Sequence, residues 1–398
     1  MTAPVVALLL SLLRLADVLD RVAERGPEQA VAAAQIAIAR ADVHSARMFP
    51  NPALVLGAGI SEPRFNGALQ FHLPIFGQRG AHVQAAERGL QQTTSEVQWT
   101  RWKLRHDARL AYYAVARADD EVGIAAEAGQ LTMRIADMAR EKYDVGTGTR
   151  LDERQAALVF VRAQQDVSDR KALARVARLE LARMLGAPAE TLGALAEPLA
   201  TVGATPPLDS LLADAHDRHP ELRAISAERA AALARAHAAR ADRRPVPTLE
   251  LGVELLDPST CGGSSYCVGP RGALSFDLPV LNLNGGPIER AEAEARLAEL
   301  KARAAGLRID SAVRAAYENF TAAAVRARFF EEEYVPNAIL VEQMAREGFA
   351  AGRTGLLPLI EAERAVLDAR LGRTEALYAV QAARAELEEA TGVTLSVP

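Results

Sequence analysis

Phe71-His72-Leu73-Pro74-Ile75 returns roughly 205 residues later as Phe276-Asp277-Leu278-Pro279-Val280, and self-similarity at a fixed long period marks a chain built from repeats of one unit. The match extends in both directions. Upstream, Pro50-Asn51-Pro52-Ala53-Leu54 is answered by Pro245-Val246-Pro247-Thr248-Leu249. Downstream, Tyr143-Asp144-Val145-Gly146 is answered by Phe349-Ala350-Ala351-Gly352.

Each copy reads as a helix, a hairpin, a long helix and a last helix. In the first copy the Ala-rich stretch 15–46 is helical in pattern and ends at Pro50 and Pro52, since proline lacks the donor and clashes with the preceding turn. Residues 53–60 then alternate, with Leu54, Leu56, Ala58 and Ile60 on one face. Residues 68–73 alternate again, with Leu69, Phe71 and Leu73 opposed to Ala68, Gln70 and His72. A proline-free helical pattern fills 78–144, is broken by Gly146 and Gly148, and resumes over 151–185. The second copy predicts a helix over 208–243, a strand over 249–255, a loop over 257–270, a strand over 274–278, a long helix to about Ala350, and a last helix from the turn at Gly352 and Gly355 to about Ala390. The copies span 15–187 and 208–392, and a Pro- and Gly-rich linker, 188–207, joins them.

The strands place Leu, Ile, Val or Phe on one side and small, polar or acidic residues on the other. That is the lipid-out, lumen-in alternation of a membrane β-barrel, whose lumen side here would carry Glu250, Glu254, Asp277 and His72. A side chain at Gly252, on the same face, is expected to be tolerated. Four strands cannot close such a barrel, the smallest having about eight, so several chains must contribute. A small soluble sheet packed on helices alternates in the same way and stays open at this point. The helices favour the larger object. The long ones measure roughly 65–70 residues, about 100 Å at 1.5 Å per residue, and a compact globule has little use for them.

Composition narrows the classes. A net charge of −5 opposes nucleic acid as a partner, since a phosphate-binding surface needs a positive excess. No apolar run reaches the ~18 residues of a membrane-spanning helix. The apolar N-terminus, 1–14, reads as a degenerate export signal or as the first turn of a helix. The only two cysteines, Cys261 and Cys267, flank a loop-like Gly-Gly-Ser-Ser-Tyr stretch; they close a small disulfide loop in an oxidising compartment or remain two unpaired thiols. No phosphate loop, HExxH or nucleophile elbow is present, and no Cys/His set has metal spacing. The chain is therefore expected to be no enzyme and to use no cofactor or bound metal. His216 and His219, next to Pro220, read as surface residues.

Together the duplication, Pro50-Asn51-Pro52, the Phe-x-Leu-Pro motif, and Tyr143-x-x-Gly146 followed by Leu151 with its copy resemble the TolC family of outer-membrane channel proteins, over about 12–392. The resemblance implies a mainly helical fold with a small β part. It implies a homotrimer in which each chain gives four strands to a twelve-stranded transmembrane barrel in outer-membrane lipid, with the helices forming an α-barrel through the periplasm. It places the periplasmic tip at the Gly turns. There Gly146, Thr147, Gly148, Gly352, Arg353 and Gly355 would receive a periplasmic adaptor, or membrane fusion, protein. Acidic residues just beyond would line a gate. Those positions hold Pro358 and Glu361 in the second copy and Asp152 and Gln155 in the first, so Glu361 and Asp152 are the gate candidates. The stretch Pro74-Ile75-Phe76-Gly77-Gln78-Arg79-Gly80 resembles the CzcC-like heavy-metal efflux branch, which implies an inner-membrane pump of the RND type. A protein-secretion duct of the same fold and a soluble coiled-coil scaffold are the competing readings.

Overall fold

The computed structural model describes residues 12–60, 64–201, 206–263, 265–277 and 283–395. Leu278-Pro279-Val280 of the repeated motif and residues 1–11 of the apolar N-terminus lie outside them. The first copy supplies α1 (Leu15–Arg25), α2 (Pro27–Arg47), β1 (Ala53–Ala58), β2 (Phe65–His72), α3 (Gln78–Asp144) and α4 (Arg150–Leu185). The second supplies α5 (Leu208–Arg218), α6 (Pro220–Ala241), β3 (Pro247–Leu256), the one-turn α7 (Pro258–Cys261), β4 (Cys267–Phe276), α8 (Gly285–Phe329), α9 (Val335–Ala350) and α10 (Leu356–Thr391). Contacts gather these into two compact units, and each unit draws on both copies. One comprises Met1–Val31, Thr100–His219 and Gly306–Pro398; the other comprises Ala32–Trp99 and Pro220–Ala305.

Three departures from the predicted helices have proline as their cause. The helices expected over 15–46 and 208–243 are each two helices, parted at Gly26-Pro27 and at His219-Pro220. Proline cannot donate to the preceding turn but suits the first position of a new helix. The break at Pro220 turns His219 inward, to 3% exposure, so it is not the surface residue expected. His216 does stay exposed and meets Asp310 at 2.8 Å. The third departure lies in the second long helix, where Phe330–Tyr334 form a π-helical turn directly before Pro336.

That turn accounts for a slip in the repeat. Arg109-Leu110-Ala111-Tyr112 matches Arg314-Ala315-Ala316-Tyr317 at one separation, whereas Met138-Ala139-Arg140-Glu141 matches Met344-Ala345-Arg346-Glu347 at a separation one residue longer. The additional residue falls in the stretch that holds the π turn, and a π-bulge is the way a helix absorbs one residue without losing its axis. Gly372 of α10 makes room for it, since a Cβ there would lie 2.5 Å from the Phe330 ring.

In the unit that holds the sheet, the strands run antiparallel in the order β1-β2-β3-β4. Leu54 stands opposite Leu69, Leu69 opposite Leu251, Phe71 opposite Leu249, and Leu249 opposite Leu274. The leucine and phenylalanine rows that these pairs build thus share one face, and the charged residues share the other, together with Val55 and Leu256. β2, β3 and β4 are each longer than expected, and the predicted loop 257–270 yields its last residues to β4. Cys261 and Cys267, at the end of α7 and the start of β4, are joined by a disulfide with Cα atoms 6.0 Å apart. The expectation for Gly252 fails. A Cβ there would lie 2.3 Å from the Gly67 carbonyl oxygen and 2.6 Å from the Ala68 Cβ, so this glycine allows β2 and β3 to approach.

The other unit is all helical. Its core contains Val18, Val22, Tyr112, Val115, Leu181, Leu211, Val313, Leu377, Val380 and Leu387, all nearly inaccessible to solvent. Tyr112 ties the chain start to the linker: its hydroxyl donates to the Leu13 carbonyl at 3.0 Å and accepts from the Glu197 N–H at 3.2 Å. Burial pushes the phenol up to about 12. Leu13 also bridges to the linker through Leu195, so residues at the end of the expected leader belong to the folded body. Glu388 is buried in contact with Arg109 and meets Arg384 at 3.3 Å. Removing one partner of a buried charge network leaves the others uncompensated, at about 3–5 kcal/mol. Glu388→Ala is expected to lower the thermal midpoint of this unit sharply, as read by circular dichroism, whereas exposed Glu386→Ala should leave it nearly unchanged.

Candidate functional site

Two places concentrate the residues singled out from sequence. The first is the polar face of the sheet. Glu250 and Glu254 stand on β3, two residues apart, and both point to that face with Asn66, Gln70 and His72. Sequence reasoning left out Arg271. By parity it shares the face with Ala273 and Ser275, but it lies between the loop expected to end at Pro270 and the strand expected to begin at Leu274. Its guanidinium lies 3.2 Å from Glu250 and 3.8 Å from Glu254, and Gln70 donates to Glu250 at 3.0 Å. The two carboxylates are therefore half neutralised. His72 and Asp277 are exposed and make no ion pair among the described residues.

The opposite face is bare. Leu54 is 65% exposed, Leu251 52% and Leu274 58%, and Leu56, Leu69 and Val253 are exposed too. A small soluble sheet packed on helices would cover these rows, and nothing described covers them. Monomeric soluble proteins rarely leave so large a contiguous apolar surface in water. None of the helices described is long and apolar enough to cross a membrane.

The second place is the pair of Gly turns, both in the helical unit. Tyr143–Gly148 and Phe349–Thr354 have the same hydrogen bonds. In the first, Lys142 C=O accepts from Thr147 N at 2.9 Å and from Gly148 N at 2.8 Å; in the second, Gly348 C=O accepts from Arg353 N at 2.8 Å and from Thr354 N at 3.2 Å. Gly146 and Gly352 occupy the left-handed region, with φ of 78° and 70°, where a side chain costs ~1–2 kcal/mol. The copies exchange a small residue across the turn. A Cβ on Gly148 would lie 3.0 Å from the Lys142 Cβ, whereas a Cβ on Gly348 would lie 2.9 Å from the Thr354 Oγ1. Only one of the two facing positions has room for a side chain. Thr147, Arg353 and Gly355 are exposed in these turns.

The helices that follow start differently. Thr149 caps α4, and Asp152 completes a capping box: its carboxylate accepts from Thr149 N at 3.3 Å and from Thr149 Oγ1 at 2.7 Å, while Asp152 N donates to Thr149 Oγ1. α10 begins after Gly355 without a side-chain cap, and Pro358 stands where Asp152 does. A carboxylate satisfies free amides at a helix start; a proline removes one of them. The Asp-to-Pro departure between the copies thus has a local cause. Glu361 has no such engagement. It is exposed and makes no ion pair or hydrogen bond among the described residues, on the solvent stripe with Leu357, Arg364 and Asp368.

Below the turns a four-helix core holds Ile135, Ala139, Ala156, Phe349, Leu356, Leu359 and Ile360. Lys142 joins the two turns. Its ammonium donates to the Phe349 carbonyl at 2.8 Å and lies 3.9 Å from the centre of the Phe349 ring. Among the described residues no group of three His, Cys, Asp or Glu side chains is placed to hold a metal ion.

A model of the outer membrane efflux protein family matches residues 18–187 and 211–393, one stretch in each copy. The cobalt-zinc-cadmium resistance protein CzcC of Cupriavidus metallidurans is 23% identical over 334 residues, 83% of this chain and 78% of the relative. Among solved structures, the outer membrane protein VceC of Vibrio cholerae has the same fold at a TM-score of 0.75 and 17% identity, covering 96% of this chain and 97% of that one. The outer-membrane channel OprN gives 0.75 at 20% identity, covering 95% and 89%.

Lys142→Met keeps the stem and removes the ammonium, losing a charge-assisted hydrogen bond and a cation–π contact together worth about 2–3 kcal/mol. Amide exchange at 138–149 and 346–356 is expected to rise together in this variant. A rise at 138–149 alone would mean that Lys142 does not couple the turns.

Proposed function

Since this chain belongs to the outer membrane efflux protein family, we propose that it is the outer-membrane duct of a tripartite efflux system, a passive path whose energy comes from a pump in the inner membrane. The observation that carries this is the sheet, whose bare leucine rows need an apolar medium and whose polar face holds Glu250, Arg271 and Glu254. Among the described residues its end strands, β1 and β4, pair on one side only. An open edge has no place in lipid, so the sheet closes with those of other copies. The symmetric solution is a homotrimer with a twelve-stranded barrel, set in the outer membrane of a Gram-negative cell. Uncovered Leu151, Leu158 and Val161 on α4 and Leu340, Val341 and Met344 on α9 supply apolar surface for the neighbouring copies.

The Gly turns then form the periplasmic tip. Val145, Gly146, Thr147 and Gly148 of one turn and Gly352, Arg353 and Gly355 of the other offer exposed backbone to the adaptor's helices. Glu361, free and exposed, is the gate carboxylate, because a ring of like charges focuses the field on a passing cation. Arg364, one turn further on the same stripe, moderates that field. Asp152, held in its capping box, contributes less. The likeness to CzcC favours divalent metal cations as cargo and an RND-type pump as partner. A type I protein-secretion duct is the alternative. Deleting the gene separates them: sensitivity to cobalt, zinc or cadmium supports efflux, and loss of a secreted protein with unchanged metal tolerance supports secretion.

Leu251→Lys on the lipid face should cost about 2–4 kcal/mol and abolish trimers in detergent, while Ser275→Asn on the polar face should assemble normally. Equal tolerance of both would remove the barrel. Glu361→Gln is expected to reduce cation preference in the reversal potential of single channels, and an unchanged potential would take Glu361 out of the gate.

A further inference from the structure

The most unusual charges of the helical unit lie not at the tip but about two turns from it, between α9 and α10. Glu342 on α9 and Glu363 on α10 have side chains only 11% and 9% exposed. Both carboxyl groups line one cavity with Ile339 and Val366. One guanidinium serves both: Arg346 touches Glu342 and lies 3.3 Å from Glu363. Two carboxylates and one cation leave a buried negative charge over, and a buried charge without a partner is expensive.

The other charged groups around the pair do not relieve it. Glu363 lies between two cavities of about 330 Å³ and 410 Å³. On the first, Glu127 of α3 is paired with Arg370 of α10 at 2.6 Å, and Arg134 of α3 is exposed. On the second, Arg170 of α4 is taken by Glu121 at 2.8 Å and Asp166 at 3.2 Å, while Arg162 of α4 and Arg364 of α10 are exposed and Asp368 adds a negative charge. Arg346 is the one cation in contact with either carboxylate among the described residues.

The repeat provides an internal comparison. In the first copy Arg140 stands where Arg346 does, but the positions of Glu342 and Glu363 are held by Ala136 and Ala157. The helical hairpin needs neither carboxylate in order to fold, so both are additions specific to the second copy.

We infer that Glu342 and Glu363 share one proton across the α9–α10 contact, and that releasing it loosens the hairpin that carries the second Gly turn. With the proton in place, the pair is a neutral acid donating to a carboxylate that also faces Arg346. Without it, two carboxylates repel across the helix contact. Burial pushes the Glu363 carboxyl up to about 7, with Glu342 adding to the push and Arg346 opposing it. The sign follows. The folded chain holds this proton more tightly than the unfolded chain does, so the stabilisation is complete below the ordinary carboxylate range and is lost as pH climbs to about 7. The contact is tight in acid and slack above neutrality. Its consequence for permeation rests on the duct reading; the proton itself does not.

Amide hydrogen exchange of the full-length protein, corrected for the intrinsic pH dependence, tests this over residues 339–363. In the wild type, exchange is expected to rise at least threefold or so between about pH 5 and pH 8, with no matching step in 211–218. Glu363→Gln, which keeps the shape and cannot ionise, should be slow and flat over the whole range. Glu342→Gln leaves Glu363 buried beside Arg346 without the second carboxylate and should move the step to lower pH. A flat wild-type profile, or a step that survives in Glu363→Gln, overturns the proposal. If Glu363→Gln does not fold, the wild-type series and Glu342→Gln still decide it. Conducting trimers with a flat profile would keep the duct and discard the proton. A step in a protein that forms no pore would keep the proton and discard the duct.

Discussion

An apolar sheet face that none of the described residues covers is the constraint on which the rest depends. Register sets it: Leu54, Leu69 and Leu251 fall in line across three strands, and Phe71, Leu249 and Leu274 form the next row. A one-residue slip in any strand would send its leucines to the side of Glu250 and Arg271. Gly252 guards against that slip, because β2 and β3 approach too closely there for any side chain. The outer edges of β1 and β4, unpaired among the described residues, are the second feature on which the proposed closure with other copies rests.

The helical unit is arranged around a different problem, which is how to end and restart helices twice with one design. Both turns use a left-handed glycine and the same carbonyl to close. They differ wherever one side chain must give way to another: Lys142 with Gly148 against Gly348 with Thr354, and the Asp152 capping box against Pro358. Such exchanges have a local cause in packing and capping. Glu361 and the Glu342–Glu363 pair are different, because no backbone group requires them. That contrast separates the departures from the repeat that have a local cause in the backbone from those that have none.

Much of the fold was legible because it follows from short-range chemistry. Alternation gave the strands, proline and glycine gave their ends, and the repeat gave the order of elements. The misreadings have physical reasons. Pro27 and Pro220 stand at the first position of a helix, where proline is welcome, so each hid a break inside a continuous periodic pattern. Arg271 is not marked by the alternation because Pro270, just before it, punctuates the pattern as a loop residue does, whereas in β4 that proline sits on the end strand of the sheet. The π turn leaves only a one-residue slip between distant matches, which helical periodicity over a short window does not register.

By itself the sequence determined a duplicated, mainly helical chain with two hairpins, apolar on one face, and glycine turns at the helix ends, because periodicity and backbone preference act between near neighbours. Tertiary structure alone decided which charges are spent and which are free. Arg271 reaches Glu250 and Glu254, Asp152 turns back on Thr149, Glu361 makes no ion pair among the described residues, and Glu342 and Glu363 from two helices share Arg346. The physical reason is that a charge takes its meaning from burial and from its nearest partner, and where the partner comes from another element, only the packed chain brings it near.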